Sequence, residues 1–244
     1  MAHEFELIEL EEKLPEFDGV KSAFFATLDQ KNFNICNIYR IQNLALWNEF
    51  NIYPMGVVIT TLGSYAPSCH NDHAHRFSYT PKAGFAFSFK CSACMIIQAR
   101  VSLSTRDRKK SLAKKTGRLD ERTLYHGTDS YDTCYGICTN NFDFRLSGKH
   151  ATVLGKGSYF AASAKYSHTY TRGPVHLMFQ AKILVGSYTK GSWDMTCPPK
   201  IPGEGHRRYD SCVDNTTNPS IFVVFDRNQC YPEYLISYKD KCSM

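Results

Sequence analysis

From His176 onward the chain reads as strand after strand with turn residues between, and this run constrains the fold more than any other feature. HLMFQAKILVGSYTKG (176–191), SIFVVFDRNQC (220–230) and YPEYLISY (231–238) each carry a strand pattern. Before them, Tyr131 to Asn140 reads as a helix that Asp129 or Ser130 can cap by accepting orphan amide hydrogen bonds. Ser158 to Phe160 is a short strand end, and Ala161 to Tyr170 a second helix. Nearer the N-terminus, Phe33, Ile35, Ile38 and Ile41 alternate with polar neighbours. They lead to Leu44, Leu46, Trp47 and Phe50 at near-helical spacing, a strand running into a short amphipathic helix. The expectation is an α+β architecture dominated by antiparallel sheet.

A chain of 244 residues, 43% hydrophobic and 21% charged, can bury a sizeable core and is not a disordered tail. The net charge of +6 comes partly from two short basic clusters, Arg106–Lys110 and Lys114–Arg118. These resemble a solvated loop or helix face, so direct nucleic-acid binding is not expected. No long apolar run exists, and MAHEFELIELEEKLPEF is acidic where a secretory signal would be basic and then apolar. No membrane association is expected, and the nucleus or cytoplasm is the expected location.

Ten scattered cysteines suit a reducing compartment as free thiols. One cluster has zinc-type ligands: Cys69, His70, His73 and His75, followed by Cys91 and Cys94. Its His spacings are irregular and it holds a single CxxC, so no metal is expected. The cluster lies in a stretch, about 55–107, that carries few acidic residues and no clear amphipathic helix, which is unusual within a compact domain. It reads either as an inserted loop or metal knuckle, or as a translated intron, and the composition shift favours the intron.

LYHGT at 124–128 and GKGSYFA at 155–161 are the most specific motifs, and their pairing says far more than either half. With NIYRIQNLALW (37–47), ICTNNFDFRLSGKH (137–150), YSHTY (166–170) and YDSCVDNTTNPSIFVVFDRNQCYPEYLI (209–236), they follow one order. In these motifs the chain resembles the catalytic domain of the PARP superfamily, in the mono-ADP-ribosylating branch that includes TIPARP-like proteins and the zinc-finger antiviral protein. The resemblance implies two packed antiparallel sheets with flanking helices. It also implies that residues 1–244 form a single catalytic domain interrupted at about 55–107, with NAD as co-substrate. Protein side chains, including those of the chain itself, would be the acceptors, and a monomer is expected.

Carried over by motif, His126 would hold the adenosine-side ribose and Gly127 would offer its backbone to the nicotinamide carboxamide. Tyr159 would stack on the nicotinamide ring. Ser167 would hydrogen-bond the amide, and Tyr170, three residues on and able to share a helix face with it, would close the sandwich. Tyr166 competes with Tyr170 for that role. The family's third catalytic position, a glutamate in the polymerases, falls on Ile221; Glu233 in YPEYL is the competing choice, but it stands on the following strand. An isoleucine cannot activate an acceptor ribose for elongation, which implies transfer of one ADP-ribose unit; the alternative is a catalytically inactive scaffold or interaction domain that keeps the fold. The histidines at 3, 150, 168, 176 and 206 have no constellation and read as surface or packing residues.

Overall fold

The structure is a computed structural model that describes residues 5–52, 120–144 and 152–241. The 55–107 segment with its zinc-type residues lies outside them, as do both basic clusters.

Among the described residues nine strands form one sheet: β1 (Glu6–Glu9), β2 (Phe33–Gln42), β3 (Glu121–Thr128), β4 (Ser158–Ala161), β5 (His176–Leu184), β6 (Tyr188–Lys190), β7 (Ser211–Val213), β8 (Ile221–Val224) and β9 (Cys230–Asp240). Their order is β1-β2-β9-β5-β3-β4-β8-β7-β6, and all described pairings are antiparallel except β6 with β7. The helices are α1 (Pro15–Phe25), α2 (Leu44–Ile52), α3 (Tyr131–Asn140) and α4 (Ala164–His168). The expected α+β class is observed. The two expected antiparallel sheets appear as two halves of this one sheet, joined where β3 meets β4 through a single pair, Tyr125 with Ala161. So narrow a seam lets the halves fold over a shared core. Leu124, Phe179 and Leu235 of one half and Phe160, Phe222 and Val224 of the other belong to the same buried cluster.

Strand parity sorts residues between two cores. On β5, Leu177, Phe179, Ala181 and Ile183 face the shared core, whereas Met178 faces a second cluster beneath α1. β2 shows the same logic with one correction. Phe33 and Ile35 point toward α1, a register shift falls between Ile35 and Asn37, and so Ile38 points the same way while Ile41 faces the shared core. Each fully buried Phe, Leu or Ile contributes about 1.5–3 kcal/mol relative to an exposed one.

The sequence pattern did not mark α1. It begins with Pro15 in its first turn, where a missing N–H costs nothing, and carries Glu16 and Asp18 beside the positive end of the helix. Phe17, Val20 and Phe24 are its buried stripe. The expected helix over Ala161 to Tyr170 is only the five residues of α4. Ala161 still pairs with Ile221 in the sheet, and the Ala162 N–H donates to Ser220 O at 2.9 Å. At the far end the hydroxyls of Thr169 and Thr171 donate to the carbonyls of Tyr166 and His168, each at 2.8 Å, which competes with further helical bonds. Tyr170 therefore lies beyond the helix, its N–H donating to Ser167 O at 3.1 Å, and does not share a helical face with Ser167.

Among the described residues no helix is long and apolar enough to cross a membrane, and the six described cysteines are free thiols.

Candidate active site

The sheet seam opens into a cleft of about 680 Å³, within the range of small-molecule sites. His126, Gly127, Tyr159, Ser167, Tyr170 and Ile221 all line it, and so does Tyr166.

His126, on β3, lies across the seam from Tyr159 on β4, and its Nδ1–H donates to the Tyr159 carbonyl at 2.8 Å. With that hydrogen on Nδ1, the neutral ring has Nε2 as its acceptor. Phe142 packs edge-on against the imidazole at 5.1 Å and Phe160 lies 5.6 Å from it, so two aromatic rings fix its plane. Phe142 is itself placed by Asn141, which follows α3 at φ 67°. The Asn141 amide donates to the carbonyls of Arg227 and Cys230, both at 2.9 Å, tying the end of α3 to the turn before β9. An asparagine after a helix is a left-handed cap signal that sequence reasoning could have used here.

Tyr159 is held by its own loop. Its hydroxyl donates to Gly155 O at 2.8 Å and accepts from the Leu154 N–H at 2.9 Å. Burial, the largest influence, pushes its phenol above the ordinary value. Gly155 sits at φ +121°, a conformation that favours glycine. The ring is thereby fixed at both ends before any ligand arrives.

Gly127 is required by contact. A Cβ there would stand 2.1 Å from Ser167 O and 3.0 Å from Thr171 Cγ2, so α4 rests directly on the β3 backbone. The Ser167 side chain is buried and donates to Tyr125 O at 2.9 Å. Beside it, Thr128 is 4% exposed, lines the cleft, and its hydroxyl has no hydrogen-bond partner among the described residues. Tyr166 and Tyr170, 42% and 37% exposed, join hydroxyl to hydroxyl at 3.2 Å at the mouth. That bond, then burial, pushes Tyr166 up to about 12.

Ile221 opens β8, and its N–H donates to Asp214 Oδ1 at 3.0 Å. The same carboxylate accepts from the N–H and the hydroxyl of Ser220. Burial acts to raise Asp214, but these hydrogen bonds outweigh it and hold the carboxyl below its ordinary value. Glu233 does not line the cleft. It is the extra residue of a bulge, between Pro232 paired with Ala181 and Tyr234 paired with Gln180, and binds Lys182 at 2.9 Å. Burial raises its carboxyl despite that partner.

A family profile for the poly(ADP-ribose) polymerase catalytic domain matches residues 92–240. The chain belongs to the PARP catalytic-domain family. Among the PARP relatives, mouse protein mono-ADP-ribosyltransferase PARP12 is 49% identical over 122 residues, 49% of this chain and 17% of that protein. Human PARP11 is 32% identical over 258 residues, covering 96% of this chain and 59% of the relative, and human PARP14 is 31% identical over 243 residues, 96% and 10%. Both carry the same mono-ADP-ribosyltransferase description. The chain thus sits in the mono-ADP-ribosylating branch of the PARP family, and spans only part of the length of each of these relatives.

Proposed function

We propose that this chain is an NAD-dependent protein mono-ADP-ribosyltransferase domain, transferring one ADP-ribose to a protein side chain and releasing nicotinamide. The observation that carries the reading is the convergence of His126, Gly127, Tyr159 and Ser167 on one cleft with an isoleucine, not a carboxylate, at its third catalytic position. One feature fits a ligand with sugar hydroxyls: the Thr128 hydroxyl, without a hydrogen-bond partner among the described residues, is a buried polar group in need of one.

In this reading the Gly127 backbone and the Ser167 hydroxyl hold the carboxamide, and Tyr159 and Tyr170 flank the nicotinamide ring. Ser167 now gives its hydrogen to Tyr125 O, so it accepts from the amide N–H or turns that hydrogen onto the amide carbonyl. His126 Nε2 accepts from a ribose hydroxyl. As the bond between the ribose C1′ and the nicotinamide nitrogen breaks, the bonding pair leaves with nicotinamide, and fixed donors at its carboxamide stabilise that departure. An acceptor side chain then forms the new bond to C1′. Ile221 accepts no proton, so the acceptor arrives already deprotonated.

The single domain with an added 55–107 segment remains part of this proposal; the family match begins within that segment, at residue 92. Transcripts joining the codons of Met55 and Arg108 support the intron reading, and exclusively full-length transcripts overturn it.

Benzamide, a nicotinamide mimic, tests the cleft. A thermal shift on adding benzamide, abolished in Tyr159→Ala, supports it, and no shift in the wild-type protein contradicts it. Intact-mass analysis after incubation with NAD should give single-unit adducts; a polymer ladder would overturn the role given to Ile221.

A further inference from the structure

The histidines at 168 and 176, unremarkable in the sequence, meet directly behind the helix that bears Ser167, with ring centroids 4.7 Å apart. His168 ends α4 and His176, 8% exposed, opens β5. Thr171 stands between them. Its hydroxyl donates to the His168 carbonyl at 2.8 Å and, with its only hydrogen so used, accepts from His176 Nδ1–H at 2.9 Å. His176 Nε2 faces the Asp240 carboxylate at 3.2 Å, and His168 Nδ1 meets the Tyr238 hydroxyl at 2.8 Å. Five residues from α4, the turn after it, β5 and β9 thus form one hydrogen-bonded chain. The titratable groups facing the two imidazoles are Tyr238 and Asp240 of β9. From β2 comes the ring of Phe33, 4.8 Å from His168, and from α1 the ring of Phe24, against Tyr238 at 5.0 Å.

This chain is coupled to the cleft by contact. Thr171 Cγ2 and Ser167 O are the atoms that close over Gly127, and Ser167 immediately precedes His168. Any movement of the turn at 169–171 therefore alters the space above Gly127.

We propose that His168 and His176, through Thr171, are positioning residues that clamp α4 against β5 and β9 and make the cleft's affinity for the nicotinamide end of NAD depend on pH. The inference rests on the reading of the cleft given above and adds a proton switch behind it. A neutral His168 accepts the Tyr238 hydrogen at Nδ1. A protonated one presents a donor there, to the Tyr238 hydroxyl at 2.8 Å and the Thr171 hydroxyl at 3.3 Å, so the Tyr238 hydroxyl must turn its own hydrogen away from the imidazole. It also sets a cation beside His176, with the largely exposed Asp240 as the one carboxylate facing the pair among the described residues. Burial first, and His176 second, hold His168 below its ordinary 6.5. A histidine lowered in the folded state contributes stability above the unfolded value that is lost as pH falls from 6.5 toward the folded one. The clamp is therefore set at neutral pH and loosens in mild acid.

The test measures benzamide affinity by calorimetry from about pH 8 to about pH 5.5, together with hydrogen-exchange protection factors of the 164–171 segment. Benzamide does not titrate in this range, so the pH dependence belongs to the protein. In the wild type the dissociation constant should rise at least about threefold toward acid while protection of 164–171 falls. His168→Asn keeps a hydrogen-bonding atom near the Nδ1 position and cannot take up a proton, so both profiles should flatten. His176→Asn removes the competing imidazole and should move the midpoint to higher pH; it carries the test if His168→Asn does not fold. Identical pH profiles in wild type and variants overturn the proposal. Protection that tracks pH through His168, with benzamide unbound at every pH, supports the clamp and instead refutes the assigned ligand.

Discussion

Replacing Gly127 by alanine adds one methyl group, and the structure fixes where it goes. Its Cβ would lie 2.1 Å from Ser167 O, whereas ordinary van der Waals contact begins at 3.4 Å, so that peptide must retreat by more than 1 Å. It cannot move alone, because the Ser167 hydroxyl is bonded to Tyr125 O and its carbonyl accepts from the Tyr170 N–H. The whole of α4 must lift. Overpacking of this kind costs about 1–3 kcal/mol, partly offset by about 0.4–1 kcal/mol from a less flexible unfolded chain. At about 2–4 °C per kcal/mol for a chain of this size, Tm should fall by up to roughly 10 °C. Activity should suffer more. A displacement of about 1 Å in groups that position a substrate costs on the order of 100-fold, so kcat/KM for NAD should drop by at least that factor. Differential scanning fluorimetry with and without benzamide, alongside NAD turnover, measures both effects. A Gly127→Ala protein that keeps wild-type benzamide affinity and turnover within about threefold would refute the claim that α4 and the β3 backbone together form the site.

Tyr159→Phe keeps the ring but removes the bonds to Leu154 and Gly155, so benzamide affinity should fall by about 5- to 10-fold, less than in Tyr159→Ala, as judged by calorimetry. Asp214→Ala removes the acceptor of three hydrogen bonds at the start of β8 and should cost about 1–3 kcal/mol at pH 7 in urea unfolding. Because the Asp214 carboxyl is held below its ordinary 3.8, that contribution is present above 3.8 and lost as pH falls through the folded value, so wild type and variant should converge in acid. Glu233→Gln should leave NAD turnover unchanged, since Glu233 is engaged with Lys182 and lies outside the cleft; loss of turnover with an intact Tm would assign it the missing base.

What the sequence made legible, and what it hid, divides along physical lines. β2 and α2 could be read because their period changes from two to near 3.6 within one run, and even the bulge is visible as a shift in apolar parity between Ile35 and Ile38. His126, Gly127, Tyr159 and Ser167 could be gathered on paper because their motifs are specific, although the contact that makes Gly127 necessary comes from α4, forty residues away. The length of α4 was overstated because threonine hydroxyls end it by competing for carbonyls, which apolar periodicity does not register. α1 passed unmarked despite its Pro15 start and its Phe17, Val20 and Phe24 stripe. The meeting of His168 with His176 had no local signal at all, since it depends on how β5 returns past the end of α4. The continuous sheet was likewise hidden, because a single register pair, Tyr125 with Ala161, joins its halves.

The most direct test of the proposed activity is incubation of the purified protein with labelled NAD, comparing wild type with His126→Ala and Tyr159→Ala by gel and intact-mass analysis. The account predicts a discrete single-unit adduct in the wild type that both variants lose while remaining folded. An unlabelled wild-type protein, or labelling that survives in both folded variants, would contradict it.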